Sequence, residues 1–163
     1  MFKKVTSQSD IVYLANLGDK IWREHYIDIN SIDCIEYMLK KFQSTESITE
    51  QIEHENYEYY FIMSDDKRAG YIAIQPRQDE LFLSKLYIDM PYRGYSLGRK
   101  AFEFIKQKAV EKGLPAIVLT VNKKNYDTID IYKHFGFRIK ESVVTDIGSG
   151  YVMDDYIMEY LMQ

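Results

Sequence analysis

Cysteine occurs once in this chain, at Cys34, which rules out an internal disulfide and a thiolate zinc cluster. Histidine is scarce, and His25, His54 and His134 are scattered without ligand spacing. Each is read as a surface or packing residue, so no metal is expected. Long apolar runs are missing as well; the uninterrupted stretches reach only five or six residues, where a membrane-spanning helix needs about 20. Lys3 and Lys4 are not followed by an apolar signal core, and no anchor pattern follows Tyr160, so a cytoplasmic protein without membrane contact is expected. Proline appears only at 76, 91 and 115, and no linker, repeat or low-complexity stretch breaks the chain.

What is present is ordinary in amount and uneven in arrangement. The 163 residues are 46% apolar and 28% charged, enough for one domain, residues 1–163, with a core that needs no crosslink. A net charge of −4 conceals a division. Residues 85–140 carry twelve Lys and Arg against five Asp and Glu, whereas residues 46–66 hold seven acids and no Lys or Arg. Segregation of this kind places an anion site beside a cation site. A nucleic-acid partner is not expected, because the pI is near 5.4 and the basic residues do not make a basic domain.

Apolar spacing sets the elements. "MFKKVT" reads as a short strand, and Ser9 or Asp10 as the cap of a helix reaching about Tyr26. A second helix is expected from Ser31 to about Phe42 and a weaker third from Ser47 to Asn56. "YEYYFIM" and "GYIAIQP" form a hairpin around a turn in "DDKRAG", followed by a third strand, "ELFLSKLYI". A helix from Leu97 stops near Gly113; "PAIVLTV" is a strand apolar enough to be covered on both faces. "NYDTIDIYKHFG" is a short helix, and "FRIKESVVTDI" with "YVMDDYIMEYL" closes the chain as a hairpin around Gly148, Ser149 and Gly150. The sum is an α/β arrangement with a mixed sheet.

One stretch asks for more than a fold. "DMPYRGYSLGRKAFEF" puts Arg93, Gly94, Ser96, Gly98 and Arg99 where a strand gives way to a helix. Free amides at the positive end of a helix dipole bind anions. Glycines let a phosphate approach the backbone, and two arginines add charge. The spacing is neither that of a P-loop nor that of the dinucleotide G-x-G-x-x-G.

"LYIDMPYRGYSLGRKAFEF" resembles the acetyl-CoA motif of the GNAT superfamily of N-acetyltransferases, Arg/Gln-x-x-Gly-x-Gly/Ala, with Ser96 standing where the middle glycine is usual. "AIVLTVNKKNYDTIDIYKHFGF" is similar to the family's second motif, and "YVMDDYIMEYL" to its last strand. The resemblance implies a GNAT fold: a mostly antiparallel sheet of about seven strands, helices on both faces, and splayed parallel strands four and five. It implies acetyl-CoA as cosubstrate, with Arg93, Gly94, Tyr95, Ser96, Leu97, Gly98 and Arg99 around the pyrophosphate. Leu86, Tyr87 and Ile88 would bond the pantetheine arm through their backbone, and Asn122 and Asn125 would meet it from the other side. Lys123, Lys124 and Lys133 are candidates for the 3′-phosphate. Dimers are common in the family, so a homodimer is open.

For the chemistry the resemblance points to Tyr132, as the acid that protonates the departing thiolate. A thiol of pKa about 8.5 and a phenol near 10 suit that exchange. The acceptor has to lose a proton before it attacks, because a primary amine of pKa about 10.4 is charged at neutrality. Many relatives carry a glutamate where this chain has Phe82; Glu80 and Ser84 are the nearby substitutes for holding a water. The acceptor is expected at Trp22, Glu24, His25, Tyr26 and Asp28, with Glu53, Glu55, Glu58, Asp154 and Asp155 also in reach of that region. Carboxylates with aromatic neighbours suit a cation. The layout is most similar to bacterial spermidine/spermine N-acetyltransferases, which makes a polyamine the first expectation. An amino sugar, another small amine or a protein N-terminus stays open, as does a non-catalytic regulator that binds acetyl-CoA.

Overall fold

Ser7 starts the first helix, α1 (Gln8–Tyr26), in a computed structural model that describes residues 1–163. Its side chain accepts from the Asp10 amide while the Asp10 carboxylate accepts from the Ser7 amide. Asp10 is therefore the third residue of α1, the partner in a capping box and not the cap, which moves the start ahead of the expected Ser9 or Asp10. The same slip occurs at α3 (Thr45–His54): Ser44 is the cap and accepts from the amide of Ser47. Where one serine stands alone, at Ser31 before α2 (Ile32–Phe42), spacing and structure agree.

Seven strands form one sheet: β1 (Phe2–Lys4), β2 (Glu58–Ser64), β3 (Lys67–Pro76), β4 (Leu81–Ile88), β5 (Ala116–Asn122), β6 (Arg138–Gly148) and β7 (Tyr151–Leu161). Their order is β1-β2-β3-β4-β5-β7-β6, so the last strand inserts between β5 and β6. Every neighbouring pair is antiparallel except β4 and β5. The β2–β3 turn is tighter than the sequence implies, because Lys67, Arg68 and Ala69 already belong to β3. The β6–β7 turn carries Ser149 at φ 54 and Gly150 at φ 81, the double left-handed step that matches the twist of a hairpin.

Helix α4 (Leu97–Glu111) follows β4, and α5 (Tyr126–Phe135) follows β5. Leu97, Ala101, Ile105 and Ile129 of these helices pack with Ile72, Ile74, Leu83 and Ile117 on one face of the sheet. Leu14, Ile21 and Ile48, from α1 and α3, cover Tyr59, Phe61 and Tyr71 on the other. A smaller cluster joins Trp22 to Ile35, Met38 and Leu39 of α2 and to Ile147 of β6. No helix is long and apolar enough to cross a membrane.

The sheet opens in one place. β4 and β5 are in register only at Leu81 with Ile117 and Phe82 with Val118. Just beyond, Ser84 has no partner on β3: Leu83 faces Ile74 and Lys85 faces Ala73. Such a bulge bends its strand and re-aims the side chains after it. Leu83 stays with the α4 core, but Lys85 and Tyr87 turn toward Tyr59 and Tyr71 on the opposite face.

β3 also approaches β4 closely at Gly70, where a Cβ would stand 2.2 Å from the carbonyl oxygen of Tyr87 and 3.0 Å from Cα of Ile88. Both are backbone atoms with no rotamer to move. Gly70→Ala is expected to cost about 1–3 kcal/mol, read as a fall in Tm of roughly 2–4 °C per kcal/mol for a chain of this size. An unchanged Tm would show that the two strands separate freely there.

Candidate active site

Where β4 and β5 part, two cavities meet. The larger, about 650 Å³, runs along Leu86, Tyr87 and Ile88 to the turn before α4 and is walled on the far side by α5. The smaller, about 290 Å³, lies toward α1 and α2 and is lined by Trp22, Tyr26, Phe82, Ser84, Lys85 and Asp155 among others. His25, Leu86, Tyr87, Asn125, Thr128 and Tyr132 line both.

The turn before α4 is built to take an anion. The amides of Gly94 to Arg99 donate to no group of the protein, since the first bond of α4 runs from the Lys100 amide to Ser96 O. Ser96 caps the helix in the left-handed region (φ 63, ψ 16) and its side chain makes no capping bond. A non-glycine residue there costs about 1–2 kcal/mol, so the serine keeps the conformation that the missing glycine would give more cheaply. Gly94, at φ 85, has nothing within 4 Å of the position a Cβ would take. The Arg93 guanidinium folds back, its Nε donating to Ile88 O at 2.9 Å, and Arg93 lines the larger cavity with Gly94, Ser96, Leu97 and Gly98. Tyr95 and Arg99 do not. Tyr95 is 71% exposed, and Arg99 lies outside the cleft, 5.5 Å above the Phe135 ring.

Across the cleft, Asn122 and Asn125 already have partners. The Asn122 Oδ1 accepts from the Lys124 amide at 2.9 Å. The Asn125 Nδ2 stands 2.9 Å from His25 Nε2 and ties α5 to α1. That bond needs an imidazole with a free Nε2, and burial with nearby Arg93 lowers the His25 pKa accordingly. Lys124 lines the larger cavity; Lys133 is exposed and does not, and Lys123 pairs with Asp154 at 2.8 Å.

Asn125 at the cap of α5, with Thr128 and Tyr132 along it, lines the cavities; Ile129, which the i, i+3, i+4, i+7 spacing places on the same stripe, packs in the core instead. The Tyr132 ring packs against Phe137 with centroids 5.3 Å apart, and no protein group bonds its hydroxyl. Burial, with Tyr26 nearby, pushes the phenol well above its ordinary pKa, so it keeps its proton.

The acids sort sharply. Glu80 stands apart from both cavities, paired with Arg77 at 3.6 Å in the turn before β4, whereas Ser84 lines the smaller one. Trp22 and Tyr26 line it too, and the Tyr26 and Tyr87 hydroxyls are 2.8 Å apart. Glu24 and Asp154 are exposed and line neither cavity. Strand alternation turns the adjacent Asp155 inward instead. It is 5% exposed and its Oδ1 has no donor; burial and Asp154 raise its pKa to about 6, against the pull of Lys123.

Lys85 was not singled out by spacing. Its Nζ reaches the carbonyl of Phe42 at 2.9 Å, the Tyr59 hydroxyl and Gln51 Oε1, with no carboxylate bonded. Burial lowers its pKa to about 7, with Glu55 pulling the other way. The signal in the sequence was a lone charge inside the apolar run "LFLSKLYI", which has to find polar partners once buried.

Residues 21–137 match the Acetyltransferase (GNAT) family. Solved structures share the fold at low identity. The PaiA N-acetyltransferase from Thermoplasma acidophilum, in complex with coenzyme A, is 19% identical with a TM-score of 0.80, covering 99% of both chains. A GCN5-related N-acetyltransferase from Rhodopseudomonas palustris is 12% identical with a TM-score of 0.81, covering 99% of this chain and 95% of that one. The ribosomal-protein-alanine N-acetyltransferase from Brucella melitensis is 14% identical with a TM-score of 0.69, covering 99% of both chains. The chain belongs to the Acetyltransferase (GNAT) family, whose members transfer an acetyl group from acetyl-CoA.

Lys85 gives the fold a pH dependence of known sign. Its pKa falls from 10.5 to about 7 on folding, so between those values the unfolded chain holds a proton that the folded chain has shed. Stability then rises with pH, and below about pH 7 that gain is absent. Urea midpoints should show the wild type gaining on Lys85→Met from pH 7 to pH 9.5; a gap independent of pH would contradict the buried, weakened ammonium.

Proposed function

We propose that this chain, read as a single domain, acetylates a primary amine that enters the smaller cavity while acetyl-CoA occupies the larger. The pyrophosphate sits on the free amides of residues 94–99, where six donors at the positive end of α4 meet it. The pantetheine arm runs along the unpaired edge of β4 past Leu86, Tyr87 and Ile88. That the PaiA enzyme holds coenzyme A on the same fold supports this placement. The thioester then lies at the wall shared by the two cavities. Attack by the amine gives a tetrahedral oxyanion, stabilised by a backbone amide near Ile88, and the C–S bond breaks as Tyr132 gives its proton to the leaving thiolate.

The observation that carries this reading is Tyr132 itself: a protonated hydroxyl with no protein partner, on the boundary between the two cavities.

The acceptor is best read as a compact amine with one cationic centre. Trp22, Tyr26 and Tyr87 offer aromatic faces to a cation, and Asp155 is the only carboxylate lining the smaller cavity. A polyamine would place one ammonium there and leave the others outside. An amino sugar or a protein N-terminus competes for the same single carboxylate.

The test is thiol release from acetyl-CoA with a panel holding simple alkylamines, diamines, spermidine, amino sugars and short peptides. Tyr132→Phe should lower kcat by about 100-fold or more, with coenzyme A affinity by calorimetry unchanged. Tight binding without turnover on any amine would instead make the chain a coenzyme A-binding regulator.

A further inference from the structure

The mechanism above leaves the acceptor's proton without a destination, and the smaller cavity contains a group suited to receive it. The usual position for a base on β4 is Phe82, whose ring lies 4.1 Å under the Arg77 guanidinium. Glu80 is engaged with Arg77 and lines neither cavity. Ser84 has no basicity of its own. Lys85 lies in the cavity, but its nitrogen is committed to Phe42, Gln51 and Tyr59.

Asp155 differs from all of these. It sits on β7, the strand inserted beside β5, opposite Asn122 on one side and Val143 on the other. Its Oδ1 is shut off from solvent with no donor, and no side-chain hydrogen bond reaches either oxygen. A buried carboxylate oxygen without a donor is costly, so in a native fold it calls for an explanation, and a catalytic role is one of them. Lys123, whose charge acts on it, is bonded to Asp154 instead.

We infer that Asp155 is the acceptor's docking carboxylate and general base, binding the incoming ammonium and taking its proton before attack. This deepens the acetyltransfer reading and rests on it. Protons balance over the cycle. The ammonium gives one proton to Asp155, and the free amine attacks the thioester carbon. Tyr132 protonates the departing sulfur and its phenolate recovers a proton from the new amide nitrogen. Asp155 releases its proton to solvent, so acetyl-CoA and an ammonium yield an amide, a thiol and one proton. In a cavity with little water the neutral amine and carboxylic acid are favoured over the separated charges, which eases the first step.

The titratable groups that line the cavity with Asp155 are His25 and Tyr26 of α1, Cys34 of α2, Tyr57 just before β2, Lys85 and Tyr87 of β4, and Tyr132 of α5. Asp154 beside it and Lys123 complete the set. None forms an ion pair with it.

The experiment uses the whole chain, coenzyme A calorimetry, and kcat/KM from pH 5 to pH 9.5 with the best acceptor of the panel and with its weakly basic fluorinated analogue. Asp155→Asn should bind coenzyme A like the wild type and lose about 100-fold in kcat/KM at pH 7. The loss should shrink at pH 9.5 and with the fluorinated amine, which is already neutral and needs no base. The wild type should show an acid limb near pH 6. Equal losses for both amines at every pH, an unimpaired Asp155→Asn, or a wild type without that limb would overturn the assignment while leaving acetyltransfer intact. Coenzyme A binding with no transfer to any amine would overturn both readings together.

Discussion

The parting of β4 from β5 is the constraint on which this molecule turns. Two register pairs, at Leu81 and Phe82, hold the strands together before the bulge at Ser84 bends β4 away. A parallel pair broken there leaves main-chain groups in need of partners, and buried backbone cannot stay unpaired without cost. A ligand with an extended amide-bearing arm satisfies that need. The free amides before α4 take its charged end. Both cavities, the Tyr132 hydroxyl and the inward turn of Lys85 and Tyr87 follow from the same break.

Much of this was legible in the sequence. The order of strands and helices, the helix that starts at Leu97 and the short helix that carries Tyr132 are local signals, and the structure has them where the spacing put them. What failed to be legible was orientation. Simple alternation puts Leu81, Leu83, Lys85 and Tyr87 on one face of β4. The unpaired Ser84 sends the first two to one side and the last two to the other. A bulge is fixed by the partner strand, and nothing in "LFLSKLYI" announces it. Asp154 and Asp155 posed the same problem, since two adjacent acids on a strand cannot both face inward. The helix starts at Ser7 and Ser44 were misplaced for a smaller reason: several capping residues stood in a row, and only tertiary context picks one.

The charges left inside the sheet divide by partner. Lys85 is surrounded by three neutral acceptors from α2, α3 and β2, so it pins those elements to the floor of the smaller cavity. Asp155 has no donor on its Oδ1. A fully bonded buried charge fixes structure, whereas an unbonded one stays costly until it finds a partner. The exposed acids near the cavity, Glu24 and Asp154, contribute only a screened field.

The position of β7 bears on how the chain comes to fold as it is made. β5 and β6 are not neighbours; the strand between them is the seventh in order. During synthesis the long flank of β5 therefore waits without hydrogen-bond partners until residues 151–161 have emerged. An uncovered apolar strand is a template for pairing with other chains. A nascent polypeptide stalled ahead of that segment would expose Ile117, Val118 and Leu119 to chaperones or to aggregation, and the carboxylate at 155 would arrive in the same final step that seals the sheet.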